Sequence, residues 1–94
     1  RGAFGLETAF VARAGSDGPT IAVMCEYDAL PDIGHACGHN IIAAAGLGAG
    51  LAAATLADEL GGRVVVLGTP AEEGAGGSPC QGRWIASRAD MARA

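Results

Sequence analysis

Ile41-Ile42-Ala43-Ala44-Ala45-Gly46-Leu47-Gly48-Ala49-Gly50-Leu51-Ala52-Ala53-Ala54-Thr55-Leu56-Ala57 is apolar apart from Thr55. It is too long for a strand and falls short of the ~20 residues that usually span a bilayer. Cys37, His39 and Asn40 bound it on one side, Asp58 and Glu59 on the other. Asn40 is placed to cap a helix running from Ile41 to about Leu60, and Gly61-Gly62 supplies a left-handed stop. Gly46 and Gly50 form a G-x-x-x-G, which packs helices in membranes and lets a helix approach a sheet closely in soluble α/β proteins. The second reading is favoured here, with no membrane as partner.

Apolar runs of strand length flank this helix. Thr20 to Glu26 is near-continuously apolar, as a strand buried on both faces would be, and Arg63 to Thr69 repeats the pattern before Pro70 ends it. Strand, helix and strand predict a right-handed βαβ unit with parallel strands, and so an α/β fold. Upstream, Thr8 to Arg13 reads as a further strand. The turn cluster Gly15-Ser16-Asp17-Gly18-Pro19 predicts a β-hairpin leading from it into the βαβ unit. The stretch from Ser78 to Ala94 has no clear period, holds half of the arginines and carries an isolated Trp84.

The chain has 94 residues and a formal net charge of -4, with sixteen glycines and few aromatic side chains. Its basic residues are scattered, so nothing is arranged to neutralise a phosphate backbone, and nucleic acid is not the expected partner. Three cysteines at irregular spacing do not make a disulfide framework. A reducing, cytoplasmic setting is the simpler expectation. Arg1 in place of an initiating methionine suggests a chain cut from a longer polypeptide.

In open α/β sheets ligands gather beyond the carboxyl ends of the strands. Two chemically loaded segments are predicted there. Gly34-His35-Ala36-Cys37-Gly38-His39-Asn40 brings a thiol and two imidazoles to the helix start, and Pro70-Ala71-Glu72-Glu73-Gly74 follows the last strand. A thiolate at a helix N-terminus is favoured by the dipole and by any nearby cation. Soft and borderline donors at one turn, with hard oxygens at another, suit a catalytic zinc-type site. Taken alone, a Cys-x-His is more often a structural cysteine and a turn-capping histidine, and Glu-Glu in a glycine-rich loop is more often solvated surface. Their convergence at one sheet edge favours the metal reading. In an extended backbone the Glu72 and Glu73 side chains would diverge, one to bind metal and one to carry a proton. Glycines 74, 76 and 77 behind them suggest close approach of backbone to a ligand.

Glu26 and Asp28 flank Tyr27 at the first strand's end, with Asp28 the better candidate for orienting a ligand. His35 is as well explained by a loop hydrogen bond as by a pocket, Cys25 reads as core, and Cys80 has no visible partner. Gly46-Leu47-Gly48-Ala49-Gly50 imitates a dinucleotide fingerprint, but it falls inside the helix instead of at a strand-to-helix turn, so nucleotide binding is disfavoured.

Together, Glu26-Tyr27-Asp28-Ala29-Leu30-Pro31, the Gly34–Asn40 segment and Gly68-Thr69-Pro70-Ala71-Glu72-Glu73-Gly74 resemble the amidohydrolase branch of the aminoacylase/carboxypeptidase-like metallopeptidase family twenty. The similarity is greatest to its dipeptidase-like and aminobenzoyl-glutamate hydrolase-like members, and it covers residues 1–77. The resemblance implies a fragment of a zinc-exopeptidase-like sheet sandwiched by helices. It implies two zinc or manganese ions in the intact enzyme, a small acyl-amino acid or dipeptide substrate, and a homodimer. Cys37, His39 and Glu73 would be metal ligands, Glu72 the general base, and Asp28 the aspartate beside the metal site. Glu26 stands where many relatives have histidine or aspartate, and Asn40 where many have aspartate. Family members are several times longer and draw further histidine ligands from segments this chain lacks. The Ser78–Ala94 tail departs from the family pattern, as a frame change or truncated gene product would. Residues 1–77 are thus expected to be a partial metallohydrolase catalytic domain with an atypical tail at 78–94. The alternative function is a non-catalytic metal-binding or regulatory module that retains a partial site.

Overall fold

A computed structural model describes residues 1–73. The expectations for Cys80, Trp84, glycines 74, 76 and 77 and the tail at 78–94 lie outside the described residues. A short 3-10 turn at Ala3–Gly5 precedes strand β1 (Phe10–Ala14), strand β2 (Thr20–Glu26), helix α1 (His39–Leu60) and strand β3 (Arg63–Thr69). The α/β class and the parallel βαβ unit are present: β2 pairs in parallel with β3, from Thr20 opposite Arg63 to Glu26 opposite Thr69.

The expected hairpin is not formed. The sheet order is β1-β3-β2, and β1 pairs antiparallel with β3, Phe10 opposite Gly68 and Ala14 opposite Val64. The physical reason is the composition of β3, whose residues Val64 to Thr69 are all buried. A strand that apolar gains most at the centre, with a neighbour on each edge. The turn between β1 and β2 therefore passes over the entry to β3 instead of closing a ladder. Gly15 and Gly18 adopt positive φ there, and a Cβ on either would strike the carbonyls of Gly62 and Gly61. Arg63 closes the crossing, its peptide N–H donating to Pro19 O at 2.8 Å and its Nε to Gly18 O at 3.2 Å.

Among the described residues β2 lies at the sheet's edge and is not buried on both faces as expected: Cys25 is buried, whereas Ile21 and Met24 are exposed. Helix α1 lies on the face made by Cys25, Val64 and Val66, with Ala57 completing the core and Phe10, Ala14, Val23 and Ala53 around it. Both glycines of the G-x-x-x-G lie at this contact. A Cβ on Gly46 would come 2.8 Å from Cys25 Sγ and from Met24 O, and one on Gly50 would overlap Val66 Cγ2. The spacing thus serves close helix-to-sheet packing, although α1 is also long and apolar enough to cross a membrane by length and composition.

Gly61 ends α1 at φ 67, as its sequence suggests, with Gly61 and Gly62 N–H groups returning to Asp58 O and Ala57 O. The start differs. Gly38, at φ 78, precedes the first helical residue, and no side chain caps the helix, so Asn40 lies within the first turn. Gly38 O accepts from Ile41 and Ile42 N–H. This earlier start puts His39 in the helix's first turn, beside the carboxyl ends of β2 and β3.

Candidate metal centre

Three segments converge at this end of the sheet. Glu26 closes β2, Asp28 lies two residues beyond, His39 opens α1, and Glu72 and Glu73 occupy the turn after β3. Parallel pairing of Glu26 with Thr69 brings the first and last of these side by side. Thr69 Oγ1 donates to Cys25 O at 3.3 Å, a buried bond between the two strands at that level.

His39 is the hub. It is only 4% exposed, and its Nδ1 lies 2.8 Å from Asp28 Oδ1. Its Nε2 lies 3.3 Å from Glu26 Oε2, 3.7 Å from Glu72 Oε2 and 3.7 Å from Glu73 Oε1. The short contact to a carboxylate places a proton on Nδ1, so in the neutral ring the Nε2 lone pair faces the other three carboxylates. Asp28 Oδ2 also accepts the Glu73 N–H at 2.6 Å. One carboxylate therefore sets the ring of His39 and the backbone of the last turn together.

That turn corrects the expected divergence of Glu72 and Glu73. The chain turns after Thr69 instead of staying extended, and Asp28 captures Glu73 N–H, so both carboxylates approach the same nitrogen. Cys37 is exposed, in the loop just before α1, with its thiol close enough to Glu73 for that carboxylate to raise its pKa. The structure thus groups His39, Glu72, Glu73 and Asp28, with the Cys37 thiol near enough to feel their charges. His35 stays apart: its side chain is exposed and its carbonyl accepts Gly38 N–H at 3.0 Å. Glu26, left undecided by sequence, joins His39 and Glu72 in a set of donor atoms all within 4.8 Å of one another. The signal for Glu26 was its position at a strand end two residues from Asp28; the ring that meets both carboxylates came from a distant loop.

The protonation energetics follow from this crowding. Burial lowers the His39 pKa, but the hydrogen bond and charge of Asp28, with the charges of Glu26 and Glu73, outweigh it and leave the imidazole above its ordinary value. The Cys37 thiol is raised, first by its hydrogen bond to Glu73, then by desolvation and by the charges of Glu73, Glu72 and Asp28. Cys25 is also raised, by burial alone, in keeping with a core role.

One imidazole, even protonated, offsets one negative charge, and here it faces four carboxylates. The ion pairs found among the described residues all converge on it. The grouped donors of Glu26, His39 and Glu72, carboxylate oxygens with one imidazole nitrogen, have the mixed hard and borderline character of a divalent zinc or manganese site. The residues present fit such an ion.

Comparison with known proteins agrees with the motifs. Residues 22–92 match the family model described as Peptidase family M20/M25/M40, a stretch that takes in much of the tail beyond Gly77. The Xaa-Arg dipeptidase of Mus musculus is 47% identical over 85 aligned residues, covering 79% of this chain and 20% of the relative. The Homo sapiens Xaa-Arg dipeptidase is 51% identical over 74 residues, covering 70% of this chain and 17% of the relative. A p-aminobenzoyl-glutamate hydrolase chain of Escherichia coli (strain K12) is 33% identical over 91 residues, covering 77% and 19% respectively. The chain therefore spans about a fifth of the length of the curated relatives it matches.

Proposed function

The chain belongs to peptidase family M20/M25/M40, and we propose that it forms the water-activating part of a metal-dependent amidohydrolase that cleaves N-acyl amino acids or small dipeptides. The observation that carries this reading is the enclosure of His39 by Glu26, Asp28, Glu72 and Glu73. Cys37, His39 and Glu73 would hold the ion, with Glu26 as a further oxygen donor. A zinc or manganese ion held there would supply Lewis acidity, lowering the pKa of water and polarising the scissile carbonyl.

Asp28 keeps the proton on Nδ1 of His39, so the opposite nitrogen can donate its lone pair. It also fixes the Glu73 peptide, which sets the direction of both adjacent carboxylates. Glu72 is the most exposed of the four carboxylates, at 46% for its side chain, against 26%, 11% and 28% for Glu26, Asp28 and Glu73. It is therefore the one placed to exchange protons with an incoming substrate, taking one from the attacking water and passing it to the leaving amine. The dipeptidase relatives make dipeptides ending in arginine the first substrates to try.

The test is twofold. The longer protein that carries this segment should hydrolyse dipeptides or acyl-amino acids only when loaded with zinc or manganese, and Glu72→Gln should abolish turnover while retaining the metal. Equal turnover after complete removal of metal would refute the reading. The isolated 94-residue chain, about a fifth of its relatives' length, should bind zinc yet show little or no turnover.

A further inference from the structure

Glu26 and Asp28 take opposite nitrogens of one ring, and Tyr27 lies between them. Residues two apart in an extended segment emerge on the same side, with the middle one on the other. The contacts of Tyr27 are accordingly with β1 and the segment before it. Its hydroxyl donates to Thr8 O at 2.5 Å, and its ring stacks on Phe10, with centroids 6.3 Å apart and planes at 9°. Its peptide N–H donates to Thr69 O at 3.4 Å, tying the same residue to the end of β3. Phe10 in turn lies over Gly68, its partner in the β1–β3 ladder, where any Cβ would fall inside the ring. Gly68, Phe10, Tyr27 and Thr8 thus form a continuous brace that ends between the two carboxylates.

From this geometry we infer that Tyr27 is a positioning residue for the cation site: its brace holds Glu26 and Asp28 at the spacing that grips both nitrogens of His39. The inference rests on the metal-site reading above. Hydrogen bonds of about 3 Å fail when a partner moves by an ångström, so a backbone that relaxes at Tyr27 loosens both carboxylates at once.

The test is a zinc titration of the 94-residue chain by calorimetry, with the visible spectrum of the cobalt form as a second readout. Tyr27→Leu removes the stack and the hydroxyl. It should weaken zinc binding by about tenfold, the lower range for groups that orient metal ligands, and change the cobalt band. Tyr27→Phe keeps the stack and should bind within about threefold of wild type, the worth of one hydrogen bond. Val65→Ala, which opens the core away from the site, should lower the unfolding midpoint and leave zinc affinity and the cobalt band unchanged. If Tyr27→Leu does not fold, Phe10→Leu removes the stack from the other side and should show the same loss. Wild-type affinity and spectrum in the folded Leu variant overturn the inference, as does an equal loss in Val65→Ala. A wild-type chain that takes up no zinc overturns the metal reading and this inference with it, whereas unaffected variants of a zinc-binding chain overturn this inference alone.

Discussion

Asp28→Asn changes one atom of the site and separates the roles that Asp28 combines. The carboxylate accepts twice: from His39 Nδ1–H at 2.8 Å and from Glu73 N–H at 2.6 Å. An amide has one acceptor and one donor face. If its oxygen stays on His39, its NH2 opposes Glu73 N–H and the last turn loses its tether. If it flips, NH2 donates to Nδ1, and the proton must move to Nε2, where it blocks the lone pair that a cation needs. The first arrangement leaves a group mispaired and the second must give up its Nε2 proton to a cation, a penalty of about 1–3 kcal/mol, or about 5–150-fold in zinc affinity. Competition calorimetry against a chelator of known strength reads this directly. Folding should change less, because Asp28 lies outside the core cluster formed by Cys25, Ala57, Val64 and Val66. If the Asp28→Asn variant binds zinc within about twofold of wild type, well below the loss expected of an orienting group, the argument is refuted.

Zinc affinity should rise with pH through and beyond neutrality, because His39 and Cys37 must both be deprotonated to bind and both hold their protons above their ordinary pKa values. Titrations across pH would show it, and a flat profile would contradict it. In the metal-free chain the sign reverses. The raised pKa of His39 contributes stability that is fully present below its unfolded value and lost as pH rises through its folded one, so the apo unfolding midpoint should carry a falling component over that range. Two glycines of α1 should respond oppositely to alanine. Gly48, with nothing near its Cβ position, should gain up to about 1 kcal/mol of helix propensity. Gly50, against Val66 on the central strand, should lose on balance, because overpacking costs about 1–3 kcal/mol; urea unfolding of both variants decides. Cys37→Ser should weaken zinc more than manganese, since the thiolate is the soft donor of the set, and parallel titrations with the two ions would measure the difference.

What the sequence disclosed, and what it withheld, divides along range. The bounds of β3 and the end of α1 were legible because Pro70 and Gly61-Gly62 act on their immediate neighbours. The hairpin was not, because the partner of β1 is decided by competition among strands, and Val64–Thr69 competes best although it lies far along the chain. Asn40 is a sound cap by type, yet the preceding glycine takes the left-handed conformation and starts the helix earlier. At the site, Cys37, His39, Glu72, Glu73 and Asp28 could be singled out because their types are costly to gather without a purpose. Glu26 needed the fold, since its part depends on a ring thirteen positions ahead in sequence. The turn that folds Glu72 and Glu73 onto one nitrogen was equally hidden, because the Asp28 acceptor that closes it belongs to another strand's end.

The most direct measurement is X-ray absorption at the zinc edge of the loaded chain, paired with Cys37→Ala. The account predicts one sulfur at about 2.3 Å among nitrogen and oxygen neighbours at about 2.0–2.2 Å, with the sulfur shell lost in the variant. A zinc environment with no sulfur, or one that Cys37→Ala leaves unchanged, would contradict the claim that the loop before α1 and the turn after β3 share a cation.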